Sequence, residues 1–428
     1  MNVADSRRLA SALEKLGYQA TRNPQQADVI VLNTCVVRQS AENRAIGRLS
    51  SLRPLKEKNP DLVINLMGCL IGVRGNPNIQ KKFPWVDVVS PPSDPDPLIN
   101  FLNDRSALAD TKNKQAKLNA ILDGDLVLPQ QEQGQLISAY VPIVYGCSHA
   151  CTYCIIPAKR GIEHSRPYQE ILDEASILVS QGIKEITLLG QIVDRYGIDL
   201  PGQPTLAMLL HDLHQIEGLK RIRFLTSHPN WFTDDLLDAV ASLPKVCEHI
   251  EVPIQAGDDQ ILKAMRRGYN AAAYRELINK IRQKIPGVSI ATDIIVGFPG
   301  ETDAQFQNTY DILKDLQMDV AHLARYSPRP GTFAARKMPD DIPDAEKMRR
   351  FRLLEDLQEG IARGINAHYQ GKVVAVLIEG KSRQRWRART KNNKLVFVES
   401  QEDLLGQEIE VKVTWTGPWS MIGAAKTA

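Results

Sequence analysis

Three cysteines within an eight-residue stretch constrain this chain more than any other feature of its sequence. Cys147, Cys151 and Cys154 follow a Cx3Cx2C spacing, which places three thiolates on one short loop. Three thiolates can hold three irons of a [4Fe–4S] cube, and with no fourth cysteine nearby one iron stays open to a small molecule. Zinc, the main alternative, usually takes four ligands from two separated pairs. The spacing therefore predicts a reactive iron–sulfur centre.

The remaining composition favours a multidomain enzyme. Of the 428 residues, 43% are hydrophobic and 24% are charged, which is enough to build several packed cores. No apolar run approaches the roughly 18 residues that a bilayer requires, and the N-terminus does not resemble a signal peptide. Six cysteines without a disulfide-like pattern suit a reducing compartment. We therefore expect a cytoplasmic monomer with no membrane partner.

The first hundred residues or so alternate amphipathic helices with short apolar strands. The helical stretches cover 5–16 and 40–58, and the apolar runs cover 28–32, 62–66 and 86–89. Short apolar runs of this kind are typical of parallel strands buried on both faces. Residues 1–103 are therefore predicted to form a flavodoxin-like, three-layer α/β domain.

Two further cysteines follow the first two of these predicted strands. Cys35 comes after the first and Cys69 after the second. Ligand sites of open parallel sheets lie beyond the carboxyl ends of the strands, so the two thiols are expected to share one rim. Either cysteine alone is more often a small buried hydrophobe. Their equivalent positions favour a second metal site.

After a polar, aperiodic linker predicted at 104–135, residues 136–366 alternate strand and helix. Six strands in series predict a partial (β/α)6 barrel with its active site at the carboxyl ends of the strands. The predicted strands cover 140–145, 185–189, 221–226, 249–254, 289–296 and 320–326.

Several polar or turn-forming residues fall at those strand ends. Between 293 and 302, two glycines and a proline predict either a tight, capped turn or a backbone-lined cleft for a ligand. His228 and Cys247 are interpreted as structural residues. The residues predicted to contact a cofactor are Tyr153, Gly190, Gln191, Ser227, Gln255, Asp293, Gly297 and Glu301.

The last segment, 367–428, carries strand-like alternation and is predicted to form a small β-barrel. Within it, a basic stretch places positive charges at nearly every second position, while Trp386 has the opposite parity. In a strand this puts the charges on one face. Such a run is often only a solvated surface. In a barrel joined to an enzyme it favours RNA, with these predicted contacts: Lys381, Arg383, Arg385, Arg387, Arg389 and Lys391.

The order of these modules resembles the radical S-adenosylmethionine (SAM) methylthiotransferase family over the whole chain. The cysteine loop, with Tyr153 before its last cysteine, resembles the radical SAM signature, and the tail resembles an RNA-binding TRAM domain. The strings at 1–6, 33–38 and 188–191 are most similar to the branch that modifies isopentenylated adenosine in tRNA.

The resemblance implies a specific chemistry. Cys147, Cys151 and Cys154 would hold a cluster on which SAM is cleaved to methionine and a 5′-deoxyadenosyl radical. Cys35 and Cys69 would be two of three ligands to an auxiliary [4Fe–4S] cluster. The radical would activate C2–H of the adenosine beside the anticodon, and a second SAM would methylate the sulfur that is transferred. A tRNA anticodon loop and a reductant such as flavodoxin or ferredoxin are the implied partners.

Two departures from the family pattern leave alternatives open. The first auxiliary cysteine, in a Gly-Cys-Gln-Met-Asn motif, would fall just before Met1, which favours a start further upstream or else a missing ligand. Residues 255–258 read Gln-Ala-Gly-Asp where the family usually has Gln-Ser-Gly-Ser. Two other functions remain: methylthiolation of threonylcarbamoyl-adenosine or a ribosomal protein, and a non-catalytic iron–sulfur protein that binds RNA.

Overall fold

A computed structural model describes residues 1–106 and 128–426. Most of the predicted linker, 107–127, lies outside the described residues. No helix within the two described stretches is both long enough and apolar enough to cross a membrane. The chain divides into two compact units: the first comprises Met1–Gln133, Tyr145–His149 and Cys154–His164, and the second Gly134–Val144, Ala150–Tyr153 and Ser165–Ala428.

The first unit is built around a parallel sheet. Its strands are β1 Val29–Thr34, β2 Val63–Gly68 and β3 Val88–Ser90, paired in that order. Its helices are α1 Asn2–Lys15, α2 Gln39–Lys58, α3 Pro77–Lys82, α4 Asp96–Ser106 and α5 Ile156–Arg160, with short 3₁₀ turns at Pro24–Gln26 and Gln130–Glu132.

Alternate residues of the central strand β2 face opposite helical layers. Val63 and Met67 pack with α1 and α4, whereas Ile64 and Leu66 pack with α2 and α3. A strand that is apolar on both faces needs a helical layer on each side. The predicted three-layer α/β arrangement is therefore confirmed.

The second unit contains a series of parallel strands with helices between them. Its strands are β4 Ser138–Pro142, β5 Val144–Tyr145, β6 His164–Ser165, β7 Glu185–Leu189, β8 Arg221–Leu225, β9 His249–Glu251, β10 Ser289–Val296 and β11 Val320–Arg325. The two-residue strands β5 and β6 each have one residue in either unit. Its helices are α6 Tyr168–Ser180, α7 Leu206–Gln215, α8 Asp234–Ser242, α9 Asp259–Ala264, α10 Ala271–Lys284, α11 Asp303–Leu316, α12 Phe333–Lys337 and α13 Asp344–Ala367, with 3₁₀ turns at Val193–Arg195 and Pro229–Trp231.

Six of these strands form two parallel sheets joined by a bridge, and β5 pairs separately with β6. The sheets have the orders β4-β7-β8 and β9-β10-β11. A parallel bridge joins Ile222 to Val246, and Ser227 donates its N–H to the carbonyl of Glu251 at 3.0 Å. The strands thus follow one another in chain order, as in the predicted partial (β/α)6 barrel.

Two predicted strands differ from the observed ones near a proline: one is divided in two and the other ends early. The strand predicted at 140–145 is divided into β4 and β5, with Pro142 at the end of β4. The strand predicted at 249–254 ends at Glu251, two residues before Pro253. Proline has no N–H to donate to a ladder, so regular pairing stops close to it.

The C-terminal part of the second unit is a closed β-barrel. Its strands are β12 Val373–Ser382, β13 Arg385–Thr390, β14 Leu395–Glu399, β15 Glu408–Thr416 and β16 Met421–Ala425, in the closed order β12-β13-β14-β16-β15. Trp386 is 4% exposed and packs in its core. The predicted small barrel is confirmed, with β13 and β16 in addition to the three expected apolar strands.

Two buried arginines of β8 attach this small barrel to the amino-terminal end of the parallel strands. Arg221 donates to the carbonyl of Arg389 at 2.6 Å and pairs with Glu408. Arg223 donates to the carbonyls of Thr390 and Lys391 at 2.8 and 2.7 Å. The small barrel therefore lies at the opposite end of β8 from the strand ends where the active site is predicted.

Candidate active site

A turn that favours glycine holds the first cysteine of the Cx3Cx2C segment. Gly146 has a φ of +67°, and a Cβ at this position would collide with the carbonyl oxygen of Ile162. Cys147 is buried and donates its N–H to the carbonyl of Gly161 at 3.1 Å. Its Sγ accepts the N–H of His149 at 3.4 Å. A backbone donor aimed at sulfur suits a thiolate that binds iron.

The second cysteine faces a buried arginine. Cys151, which is half-buried and belongs to the second unit, lies 3.2 Å from Nη1 of Arg267. Burial alone would lower the pKa of this guanidinium, but Tyr153, Tyr269 and Cys151 raise it above its ordinary value. The arginine therefore remains a cation beside the sulfur.

The peptide between Cys151 and Tyr153 is fixed on both sides. Thr152 donates its N–H to the carbonyl of Met265 at 3.1 Å. Its hydroxyl donates to the carbonyl of Ala264 at 2.9 Å. Its own carbonyl accepts the N–H of Ala334 at 2.8 Å. Tyr153 packs against the apolar cluster of the same unit. These hydrogen bonds fix the backbone next to Cys151.

The third cysteine and the auxiliary pair belong to the first unit. Cys154 is half-buried and lies just before α5, which ends at Arg160. Cys35 is exposed and Cys69 is buried. Burial raises the pKa of the Cys69 thiol above its ordinary value, and the hydrogen-bonded guanidinium of Arg160 offsets this only in part. Sequence analysis did not identify Arg160, because this contact joins distant parts of the chain.

The ends of β1 and β2 are tied together below the two auxiliary cysteines. The hydroxyl of Thr34 donates to the carbonyl of Met67 at 2.8 Å and accepts the N–H of Leu70 at 3.1 Å. Cys69 donates its N–H to the carbonyl of Thr34 at 3.1 Å. Cys35 and Cys69 thus follow the ends of two paired strands, and their role as metal ligands remains a prediction.

Two features of the Cx3Cx2C segment suit cysteines that bind an iron–sulfur cluster. Within residues 1–106 and 128–426, no three His, Cys, Asp or Glu side chains gather in a group that could hold one metal ion. In a cubane cluster each thiolate binds a different iron, so its cysteines need not converge on one point. The buried cation at Cys151 and the N–H donor at Cys147 both favour anionic sulfur at these positions. The residues thus fit a [4Fe–4S] cluster.

Most of the other predicted cofactor contacts lie at the ends of neighbouring strands in the second unit. Ser227 is 2% exposed, and its Oγ has no hydrogen-bond partner among the described residues. Gln255 has a φ of +74° and donates its N–H to the carbonyl of Asp293 at 2.8 Å. Gly190 and Gln191 follow β7 directly. The structure brings Gln255 and Asp293 together. The ligand-binding roles of Ser227, Gly190, Gln191, Gln255 and Asp293 all remain predictions.

The 293–302 segment proves to be both a tight turn and a buried ionic site. Gly297 has a φ of +69° and donates its N–H to the carboxylate of Glu301 at 2.7 Å. Glu301 is 1% exposed and pairs with Arg350 of α13 at 2.7 Å. Thr302 caps α11 through a capping box. Glu301 therefore has a demonstrated structural role beside its predicted ligand-binding role.

A half-buried glutamate that sequence analysis missed lies next to this turn region. Glu251 is opposite Ala291 in the β9–β10 ladder. Burial, together with the nearby Asp293, raises the pKa of Glu251 to about 7. Its position between Ile250 and Val252 was an available signal, because an acid in an apolar strand rarely serves the core.

Each of the two residues interpreted as structural has a local structural environment. Nδ1 of His228 accepts the N–H of Asn230, at the start of a 3₁₀ turn. Cys247 is 1% exposed, and burial raises the pKa of its thiol to about 12.

Strand β13 has its basic side chains on the exposed face, as predicted. Neighbouring strands supply acids that pair with them. Arg385 and Arg387 are exposed, whereas Trp386 between them is buried. Glu379 lies 3.4 Å from Arg387, and Glu399 lies 2.7 Å from Arg385. Other predicted contacts differ: Lys381 lies over the ring of Trp386, Arg389 also pairs with Glu379, Lys391 donates to the carbonyl of Pro244, and Arg383 lies in the β12–β13 turn.

Three family models match this chain in the order of its folded parts. Residues 1–90 match "Uncharacterized protein family UPF0004", 141–313 match "Radical SAM superfamily", and 367–426 match "TRAM domain". The fold and the cysteine loop thus define a radical SAM protein.

Curated relatives narrow this class. Two enzymes named tRNA-2-methylthio-N(6)-dimethylallyladenosine synthase, from Roseiflexus sp. (strain RS-1) and Chloroflexus aurantiacus, are 47% and 46% identical over 99% of this chain, covering 87% and 89% of their own lengths. The chain belongs to the family of tRNA-2-methylthio-N(6)-dimethylallyladenosine synthases.

Solved structures agree at the level of the fold. The radical SAM methyltransferase TsrM from Kitasatospora setae, with cobalamin and a [4Fe–4S] cluster bound, matches with a TM-score of 0.56 and 15% identity, covering 78% of this chain and 73% of its own.

Proposed function

We propose that this protein is a methylthiotransferase that replaces the C2 hydrogen of N6-dimethylallyladenosine in tRNA with a methylthio group. The observation that carries the proposal is the Cx3Cx2C segment, supported by a buried cation at Cys151, in a chain that matches its relatives over 99% of its length. The relatives' names supply the substrate, and the local geometry supports the cofactor chemistry.

The chemistry is divided between two parts of the chain. Residues 136–366 bind SAM and the cluster held by Cys147, Cys151 and Cys154, and residues 1–103 hold an auxiliary cluster through Cys35 and Cys69. When bound, the cluster and SAM supply one-electron cleavage chemistry that activates a C–H bond. The protein's own groups bind and orient: the Ser227 hydroxyl and the Gln255–Asp293 pair offer polar contacts at the strand ends.

The small barrel, residues 367–428, is proposed to bind the RNA backbone. It attaches at the amino-terminal end of β8, whereas Ser227 lies just past the carboxyl end. A five-residue strand spans about 17 Å, which exceeds the size of one nucleotide base. A free nucleoside cannot reach both ends, so the arrangement favours an extended RNA, whose unpaired loop base can be turned into a pocket.

The proposal includes a cytoplasmic monomer that receives electrons from a low-potential donor such as flavodoxin or ferredoxin. Mass spectrometry of tRNA nucleosides from a deletion strain tests the substrate. We expect the methylthio-dimethylallyl nucleoside to disappear and to return when this chain is expressed. Loss of a methylthio-threonylcarbamoyl nucleoside, or of a ribosomal-protein modification, would instead establish one of the alternative targets.

Removing charge from the basic strand is expected to weaken tRNA binding in a salt-dependent way. Arg385→Gln with Arg387→Gln removes two exposed charges, and each phosphate that these side chains no longer neutralise should reduce the slope of log affinity against log salt by about 1. Fluorescence anisotropy with labelled anticodon stem-loop RNA measures that slope. Lys280→Gln with Lys284→Gln removes two charges from α10 and should leave the slope unchanged; equal slopes in both double variants would contradict the assignment.

A further inference from the structure

Arg267 is a buried cation whose charge is balanced by no carboxylate within residues 1–106 and 128–426. It is 5% exposed. Among the residues that the structure describes, its guanidinium forms no ion pair with an aspartate or a glutamate, and its hydrogen bonds run to Cys151, Tyr269 and the carbonyl of Pro253. A buried charge left uncompensated is strongly destabilising. The sulfur of Cys151 is the one of these three partners that becomes fully anionic when it binds iron.

The guanidinium is held in place on both sides of this contact. Nε donates to the hydroxyl of Tyr269 at 2.9 Å, and Nη2 donates to the carbonyl of Pro253 at 3.3 Å. The Tyr269 hydroxyl in turn donates to the carbonyl of Ile254 at 2.8 Å. Since Thr152 is bonded to Met265 and Ala264, both the donor and the sulfur are fixed from the same short stretch of chain.

We propose that Arg267 is a positioning residue that raises the reduction potential of the cluster held by Cys151, through its charged hydrogen bond to that cysteine's Sγ. The inference rests on the cluster of the proposed function. Reduction adds one electron, supplied by a low-potential donor, and no proton, so the cluster becomes more negative by one charge. A fixed cation 3.2 Å from a ligand sulfur stabilises the reduced state more than the oxidised state.

The potential is measured on the protein without tRNA. Cys35→Ala and Cys69→Ala form the background, so that the remaining signal comes from the cluster on the Cx3Cx2C segment. Electron paramagnetic resonance of the reduced cluster, followed during a mediated redox titration, compares Arg267→Gln and Arg267→Lys with the parent. Arg266→Gln is the matched control, because this neighbouring arginine is exposed and lies over Phe333.

Arg267→Gln is expected to lower the ratio of reduced to oxidised cluster about tenfold at a fixed applied potential, a shift of about 59 mV for a one-electron couple. Arg267→Lys should shift the potential in the same direction by less, because it keeps the charge but loses the planar fork. The Arg266→Gln control should match the parent.

Iron content identifies variants that hold a cluster. If Arg267→Gln assembles no cluster, the reduction potential of the Arg267→Lys variant is compared with the parent instead. A potential equal to that of the Arg266→Gln control in a cluster-loaded Arg267 variant would overturn the inference. If the shift is seen in this background, but the protein with Cys35 and Cys69 intact never methylthiolates tRNA when given SAM and a reductant, the proposed function alone would be contradicted.

Discussion

Cys151→Ala is expected to abolish reductive cleavage of SAM. The substitution removes one of three thiolates and leaves the guanidinium of Arg267 without its anionic partner. A cluster held by only two cysteines has two exposed irons and should be lost or inactive. Formation of 5′-deoxyadenosine by the reconstituted, reduced protein, measured by chromatography, should fall to the background of a reaction without enzyme.

Cys247→Ala provides the matched control for this prediction. Cys247 is as deeply buried as any cysteine of the chain and lies outside the Cx3Cx2C segment. Its substitution should leave 5′-deoxyadenosine formation near the parental rate, with a small cost in stability. Cleavage that survives in Cys151→Ala, or is lost equally in Cys247→Ala, would contradict the assignment of the cluster.

Arg350→Met is expected to reduce the free energy of unfolding by about 3 kcal/mol, the cost of leaving a buried charge unpaired. Arg350 is 4% exposed at its side chain and pairs with Glu301, which keeps only the Gly297 N–H when the arginine is gone. Chemical denaturation followed by circular dichroism measures the loss. Burial raises the pKa of Glu301, so the deficit should shrink as the pH falls and the carboxyl takes up a proton.

The neighbouring Arg349 is the control for this ion pair. It lies on the same helix, is 51% exposed and pairs with Glu346 and Asp303. Exposed pairs contribute about 0–1 kcal/mol, so Arg349→Met should change stability little. Equal losses in the two variants would mean that burial of the Glu301 pair does not stabilise the fold.

Local patterns predicted most of the architecture. The four apolar or β-favouring residues that follow Glu185 are observed in β7, because their hydrophobic character reflects burial along the whole strand. The alternation around Trp386 likewise predicted which side of β13 is exposed. Where the chain departs from these patterns, as at Pro142 and Pro253, a missing N–H ends the ladder sooner than hydrophobicity suggests.

Contacts between distant segments were not predictable in the same way. Arg267 lies 116 positions from Cys151, and the local sequence of neither residue indicates the other. The acid next to Arg387 comes from the preceding strand across a bulged ladder, so a stretch without acids is still partly neutralised. Cysteine spacing thus identified the ligands, whereas the residues that surround those ligands required the fold.

The most direct test of the account is a count of iron and sulfide in the anaerobically reconstituted protein, beside a variant with Cys147, Cys151 and Cys154 all changed to Ala. A [4Fe–4S] cluster on these three cysteines predicts that the variant holds about four fewer irons per chain than the parent, and no longer cleaves SAM. An unchanged iron count would contradict the account, because the three cysteines would then not hold the cluster on which the proposed chemistry depends.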